Sequence, residues 1–245
     1  MHGLDTYDYG ARQHDPILAR WDRMDPLCEK YYNISPYVYC ANNPVKYIDE
    51  HGDSLSLSGS EDDVNLTLRV YNQGLGGYYS VNADNNGILS LSAVEGKNER
   101  EMSSSQKAIY DVLNRVINGK GMATIKIENG TNILIGDINS FTIDIGDINA
   151  IGTGSDISSI SVLAHETYEE YLVQTSMKGK TESIINAHEK ASGVERLITG
   201  SYLDPLDRSI SNGKMRISVL GPNNDIKKTV YIHIDKSNNV IGVTR

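Results

Sequence analysis

Cysteine is scarce: Cys28 and Cys40 are the only two in 245 residues, and they do not form a CxxC. That spacing makes no metal site by itself, and the pair reads more simply as two buried thiols than as a disulfide. A surplus of positive charge is also missing, since 23 Lys and Arg face 32 Asp and Glu for a net charge of -9. Phosphate binding normally needs a basic patch, so the composition argues against a nucleic-acid partner. No apolar run approaches the roughly 20 residues of a membrane span, and no charged segment precedes a short apolar one as in a signal peptide. No fixed-period repeat and no nucleophile elbow appear. The Gly-rich stretches "NQGLGG" and "GTGSD" match no complete phosphate-binding fingerprint and read as loops.

What is present divides the chain in two. Seven of the fifteen Tyr and the only Trp, Trp21, fall within residues 1–53, whereas the remainder is rich in Ile, Ser, Asn and Gly. The first part carries five basic and nine acidic side chains and the second 18 and 23, giving -4 and -5, so neither part is basic. The opening residues read as the middle of a folded module. The chain is therefore expected to be the tail of a longer protein or a displaced cassette, with any export signal lying elsewhere.

The stretches "YDYGARQHDPILARWDRMDP" and "SPYVYCANNPVKYIDEHGD" are β-like in content, with Tyr packing strand faces and Asp-Pro and Asn-Asn-Pro marking turns. They resemble the C-terminal end of the rearrangement hotspot (RHS) repeat-associated core domain, whose pattern is YDYGARxYDPxLGRWxxxDP followed by SPYxYxxNNPVxxxDPxG. The resemblance covers about residues 5–53, with His14 and Ala19 replacing the family's Tyr and Gly. It implies that this part closes a β-shell of YD repeats and that residues 54–245 are a variable toxin or effector cargo. A cognate immunity protein and delivery to a neighbouring cell, or secretion, would follow. Some family members cut themselves after DPxGL using upstream aspartates. Here the junction reads Asp49, Glu50, His51, Gly52, Asp53, with Pro and Leu both replaced. Asp25 and Asp49 occupy family-typical positions, but read more simply as turn residues.

The remainder reads as α+β: a mixed sheet with two long helices. "DVNLTLRVY", "YYSVNA" and "GILSLSAV" alternate like half-buried strands. A helix follows, capped by Ser103 with Gln106, striped by Ile109, Val112, Leu113, Val116 and Ile117, and ended by Gly119. "MATIKIE", "NILIG" and "SFTIDIG" read as strands, the last as an edge. A Gly-rich loop then leads to a helix capped by Asp156 or Ser158 and running to about Thr175. A second helix spans about Thr181 to Gly200. "KMRISVL", "KKTVYIHID" and "NVIGV" close the chain as strands joined by Asn-rich turns.

The two helices carry the chemistry. In "LAHETYEEYLVQ", His165 and Glu169 are one turn apart, bordering a stripe of Ile160, Leu163, Ala164, Tyr168, Tyr171 and Leu172. On the next helix Ile184, His188, Ala191, Glu195 and Ile198 recur at helical spacing, which turns His188 and Glu195 into an apolar face. A solitary inward His is commonly satisfied by a backbone carbonyl; two histidines and two carboxylates converging suggest a cation. The first helix resembles the HExxH helix of zincin-type metallopeptidases with Glu169 in place of the second His. The resemblance implies a zinc site held by His165, Glu169 and His188. Glu195 would be a further ligand or would hold His188 in its tautomer, and Glu166 would be the general base. An edge-like "SFTIDIG" would align a peptide substrate.

The expected function is thus a zinc-dependent peptidase toxin of an RHS protein, acting on a protein target. Two alternatives remain. One is a metal-dependent nuclease toxin using the same residues. The other is a non-enzymatic contact or adhesion module in which the inward polar groups form a hydrogen-bonded core network, or in which Glu166, Glu169 and Glu170 are a solvated acidic face.

Overall fold

The computed structural model describes residues 7–8, 12–24, 35–39, 55–119, 121–176, 181–204 and 210–244. Asp25, Cys28, Cys40 and the 49–53 junction lie outside the described residues, and with them the cleavage and cysteine expectations.

Three short strands, β1 (Tyr7–Asp8), β2 (Gln13–Asp15) and β3 (Arg20–Trp21), form an antiparallel sheet in that order. Trp21 is buried, with His14 and Tyr39 edge-on at centroid distances of 5.8 and 5.2 Å and the Arg12 guanidinium 4.4 Å over its ring. His14 therefore fills the place of the expected Tyr as a ring. Ala19 stands where the family pattern has Gly, and its φ of 51° is a backbone conformation that favours glycine.

From Leu55 the chain builds an α+β fold. A four-stranded sheet has the order β4 (Leu55–Gly59), β7 (Ala123–Glu128), β9 (Thr142–Asp144), β8 (Gly136–Asp137). The first three are parallel and β8 is antiparallel to β9. The hairpin β5 (Tyr79–Ala83) and β6 (Leu89–Ala93) is a separate two-stranded sheet that meets β4 through the antiparallel bridge Ser56↔Ile88. A C-terminal antiparallel sheet has the order β10 (Tyr202–Leu203), β12 (Lys214–Leu220), β13 (Ile226–Ile234), β14 (Val240–Thr244), with β11 (Ile210–Ser211) also on β12. Its turns place Asn224 and Asn238 at φ 62° and 65°, as their Asn-rich sequences anticipate.

Among the described residues five α-helices complete the fold: α1 (Glu61–Leu75), α2 (Ser104–Ile117), α3 (Ile145–Gly154), α4 (Ser159–Ser176) and α5 (Thr181–Thr199). The Ser103–Gln106 capping box of α2 is present, but the helix ends at Asn118 rather than Gly119. Strand expectations fail at "DVNLTLRVY", which lies in α1. Ser60 caps it by accepting from Asp63 N–H, three acidic residues fill its first turn and Gly76 closes it in the left-handed region. Buried Thr67, Val70, Tyr71 and Leu75 fall at helical spacing, which overrides the local alternation.

The expected Gly-rich loop also contains a helix, α3. Asp144 caps it and Ile145, Ile148 and Ile151 are buried along it. Its glycines serve close packing: a Cβ on Gly152 would sit 1.7 Å from Ser159 Oγ. "NILIG" contributes only Gly136 to a strand, because Ile135 adopts a φ of 68°. "SFTIDIG" supplies β9, which lies between β7 and β8 and is not an edge; the terminal strand on its side of the sheet is β8.

Helix α4 packs against α1, α2, α3, α5 and β7, and so is buried around its circumference instead of along one stripe. Its end is locked to β7 by Gln174, which accepts from Thr124 N–H at 2.9 Å and donates to Thr124 C=O at 3.0 Å.

Leu55, Ser56 and Leu57 are buried in β4, so the α+β fold already includes them. Limited proteolysis should leave a resistant fragment that begins at or before Leu55. Early cleavage within 55–75 would contradict this boundary.

Candidate metal centre

Helices α4 and α5 lie side by side, and the fourfold spacing of His165 and Glu169 aims both at His188. His165 Nε2, Glu169 Oε2 and His188 Nδ1 are each 3.2 Å from the other two. Three ligands at about 2.0–2.1 Å from a tetrahedral zinc ion are separated by about 3.3–3.4 Å, so the triangle fits a three-residue site with one position left over. These three residues also form the group among the described residues whose ligand atoms could share a metal ion. His165 is buried, Glu169 is at the margin of burial and His188 is half-buried.

Glu195 is brought to the cluster differently from the expectation. Its Oε2 lies 3.3 Å from His165 Nδ1, off the axis of a hydrogen bond, and accepts from Leu203 N–H at 3.2 Å. It therefore supports His165 and not His188. His188 Nε2 is buried without a hydrogen-bond partner among the described residues.

Glu166 is half-buried, and its carboxylate rests against β8: a Cβ on Gly136 would lie 2.3 Å from Glu166 Oε2. Only glycine leaves room for that carboxylate beside the edge strand. The idea of a solvated acidic face fails, since Glu169 is 9 % and Glu170 1 % exposed. Sequence reasoning treated Glu170 only as part of that face. Burial, reinforced by the charges of Glu166, Glu169 and Asp137, pushes its carboxyl up to about 9, so it is neutral at pH 7. Its Oε2 has no hydrogen-bond partner among the described residues. The run of Glu in "HETYEE" signalled acidity but not which member would be enclosed.

Burial opposes protonation of His165, but Glu169 and Glu195 outweigh it and push the imidazole up to about 10. Burial likewise opposes ionisation of Glu169, yet His165 and His188 hold it down to about 2. The carboxylates of the cluster thus favour a positive charge on His165.

No family model and no solved structure matches the chain. Salivary gland surface protein 1 of Aedes aegypti is 36% identical over 80 residues, 33% of this chain and 2% of that protein. Nucleoporin p54 of Homo sapiens is 22% identical over 201 residues, 79% of this chain and 34% of that protein. The chain spans a small part of the first and about a third of the second, and neither similarity places it in a family.

His165→Ala and His188→Ala should each abolish stoichiometric zinc binding, measured by metal analysis after gel filtration, because two side chains remain at the cation. Full retention of zinc by the His188 variant would remove the two-helix site.

The same groups set a pH dependence. Without metal, the native state holds a proton on Glu170 between 4.5 and about 9 and on His165 between 6.5 and about 10, where the unfolded chain does not. Stability from these groups is therefore complete at low pH and falls as pH rises through those windows. Glu169 acts oppositely, its contribution being lost as pH falls from 4.5 towards about 2. Zinc must displace the proton from His165, so its increase in melting temperature should be larger at about pH 8 than at about pH 6. Thermal melts with and without zinc test this, and a pH-independent increase would refute it.

Proposed function

We propose that residues 54–245 are the effector part of an RHS-type protein and act as a zinc-dependent peptidase on a protein target. The observation that carries this reading is the triangle of His165, Glu169 and His188 with Glu166 one residue along the same helix. Zinc held by these three residues would supply Lewis acidity towards a scissile carbonyl and a water made more acidic.

The chain's own residues perform the rest. Glu166 stands beside the edge strand β8, whose outer side can pair with an extended peptide by main-chain hydrogen bonds. A carboxylate there can take a proton from the attacking water and pass it to the leaving amine. Glu195 keeps a negative charge next to His165 Nδ1, which favours the tautomer that offers Nε2 to the cation. The RHS resemblance supports the cargo role, an immunity partner and delivery outside the producing cell. Among the described residues no helix is long and apolar enough to cross a membrane.

A second reading has one observation in its favour: separations of 3.2 Å are also hydrogen-bond distances, so the cluster could be a buried polar network with no catalytic task. A nuclease using the same metal is disfavoured by the net charge of -9.

Glu166→Gln separates these readings. It preserves shape and removes the base, so zinc content should stay stoichiometric while peptidase activity, or toxicity in a cell lacking the immunity protein, falls by about 100-fold or more. Undiminished toxicity in a folded, zinc-loaded variant would exclude the peptidase mechanism.

A further inference from the structure

Glu195 stands between the metal cluster and the C-terminal sheet. It is 2 % exposed, and its Oε2 has two neighbours: His165 Nδ1 at 3.3 Å and the Leu203 N–H, which donates at 3.2 Å. Leu203 belongs to β10, which is an edge of the C-terminal sheet, paired with β12 through Leu203↔Val219 and the bond from Asp204 N–H to Ser218 C=O. The Leu203 N–H points the other way, out of the sheet and onto α5. Glu195 and Leu203 both border a small cavity of about 40 Å³, whose lining also includes Ser161, Thr199, Ser201 and Lys228.

We infer that the C-terminal sheet positions the metal ligand His165, using the Leu203 N–H to hold the Glu195 carboxylate against the imidazole. The inference rests on the metal-site reading above and names what regulates that site. Among the described residues the Leu203 N–H is the hydrogen bond that Glu195 Oε2 accepts, because its approach to His165 is not aligned as one. Without that donor the carboxylate has the neighbouring cavity to turn into. It would then leave Nδ1, and His165 would lose both its orientation and the negative charge that makes Nε2 a better ligand. Glu195 and Leu203 are positioning residues in this scheme. Displacing β10 from α5 would weaken metal binding while leaving all three ligands intact.

The decisive comparison is Leu203→Pro against Leu203→Ala in the full chain. Proline on an edge strand with its nitrogen facing outward removes the N–H and spares the pairing with β12. Alanine removes the side chain and keeps the N–H. Zinc affinity, measured by competition with a chromogenic chelator, should fall by about 10 to 100-fold in the proline variant and stay near the parent's in the alanine variant. The visible spectrum of the cobalt-substituted proline variant should shift with it. Equal zinc affinity in the two folded variants would overturn the inference while leaving the metal site standing. A parent chain that binds no zinc would overturn the metal reading, and this inference with it. If Leu203→Pro does not fold, Glu195→Gln takes its place: unchanged zinc affinity and an unchanged cobalt spectrum there would equally overturn it.

Discussion

Everything about this fold turns on burying one helix on all sides while leaving ionisable groups along it. An isolated carboxylate enclosed in protein costs several kcal/mol even after relaxation, so each one on α4 needs its own answer. The answers differ by position. Glu169 is held ionised by two histidines, Glu170 is held neutral, and Glu166 reaches the margin of the sheet where glycine makes space for it. Thr167, on another face, joins Tyr71 of α1 through a buried hydroxyl contact of 2.6 Å. Neighbouring positions of one helix thus combine anchoring, an ionised carboxylate and a neutral one. Helices α1, α2, α3 and α5 and strand β7 together enclose α4.

The convergence of His165, Glu169 and His188 was legible in the sequence because its signals were periodic. His165 and Glu169 at four residues, and His188 and Glu195 at seven, are spacings that a helix converts directly into shared faces, and α4 and α5 do form where those spacings imply. Which histidine Glu195 would serve was not legible. That depends on the relative rotation of two helices, which no single-helix pattern contains, and it went to His165. Glu170 was missed for a related reason: its enclosure comes from neighbours distant in sequence, whereas its local surroundings look like a solvated acidic run.

The fold was less legible where two signals competed. In α1 the alternation of "DVNLTLRVY" suggested a strand, yet Ser60 with Asp63, the acidic first turn and Gly76 all spoke for a helix and prevailed. In α3 glycine density suggested a loop, while isoleucines three residues apart and the Asp144 cap built a helix that packs where larger residues could not. Propensity is a weak prior beside burial, and both errors favoured the local pattern over the caps. The edge of the sheet was misplaced by one strand because β8 has only two residues, too few for any pattern, and follows the left-handed turn at Ile135.

Among the polar ties between the C-terminal sheet and the elements before it, two are carboxylates accepting a backbone N–H. Glu195 takes that of Leu203 in β10, and Asp147 in α3 takes that of Val240 in β14 at 2.7 Å. Asp147 also faces Ile135 N–H at 3.4 Å, the residue that leads into β8. One carboxylate thus links the sheet to His165 and the other to the strand beside Glu166. A backbone N–H buried without an acceptor is costly, and a carboxylate buried without donors is costlier still, so each pair loses by separating. The sheet contributes no side chain to the cluster, yet its two ends are fastened where the chemistry would occur. A module that only covered the helices would need apolar contact alone. These paired polar ties make its position, and not merely its presence, matter to the site.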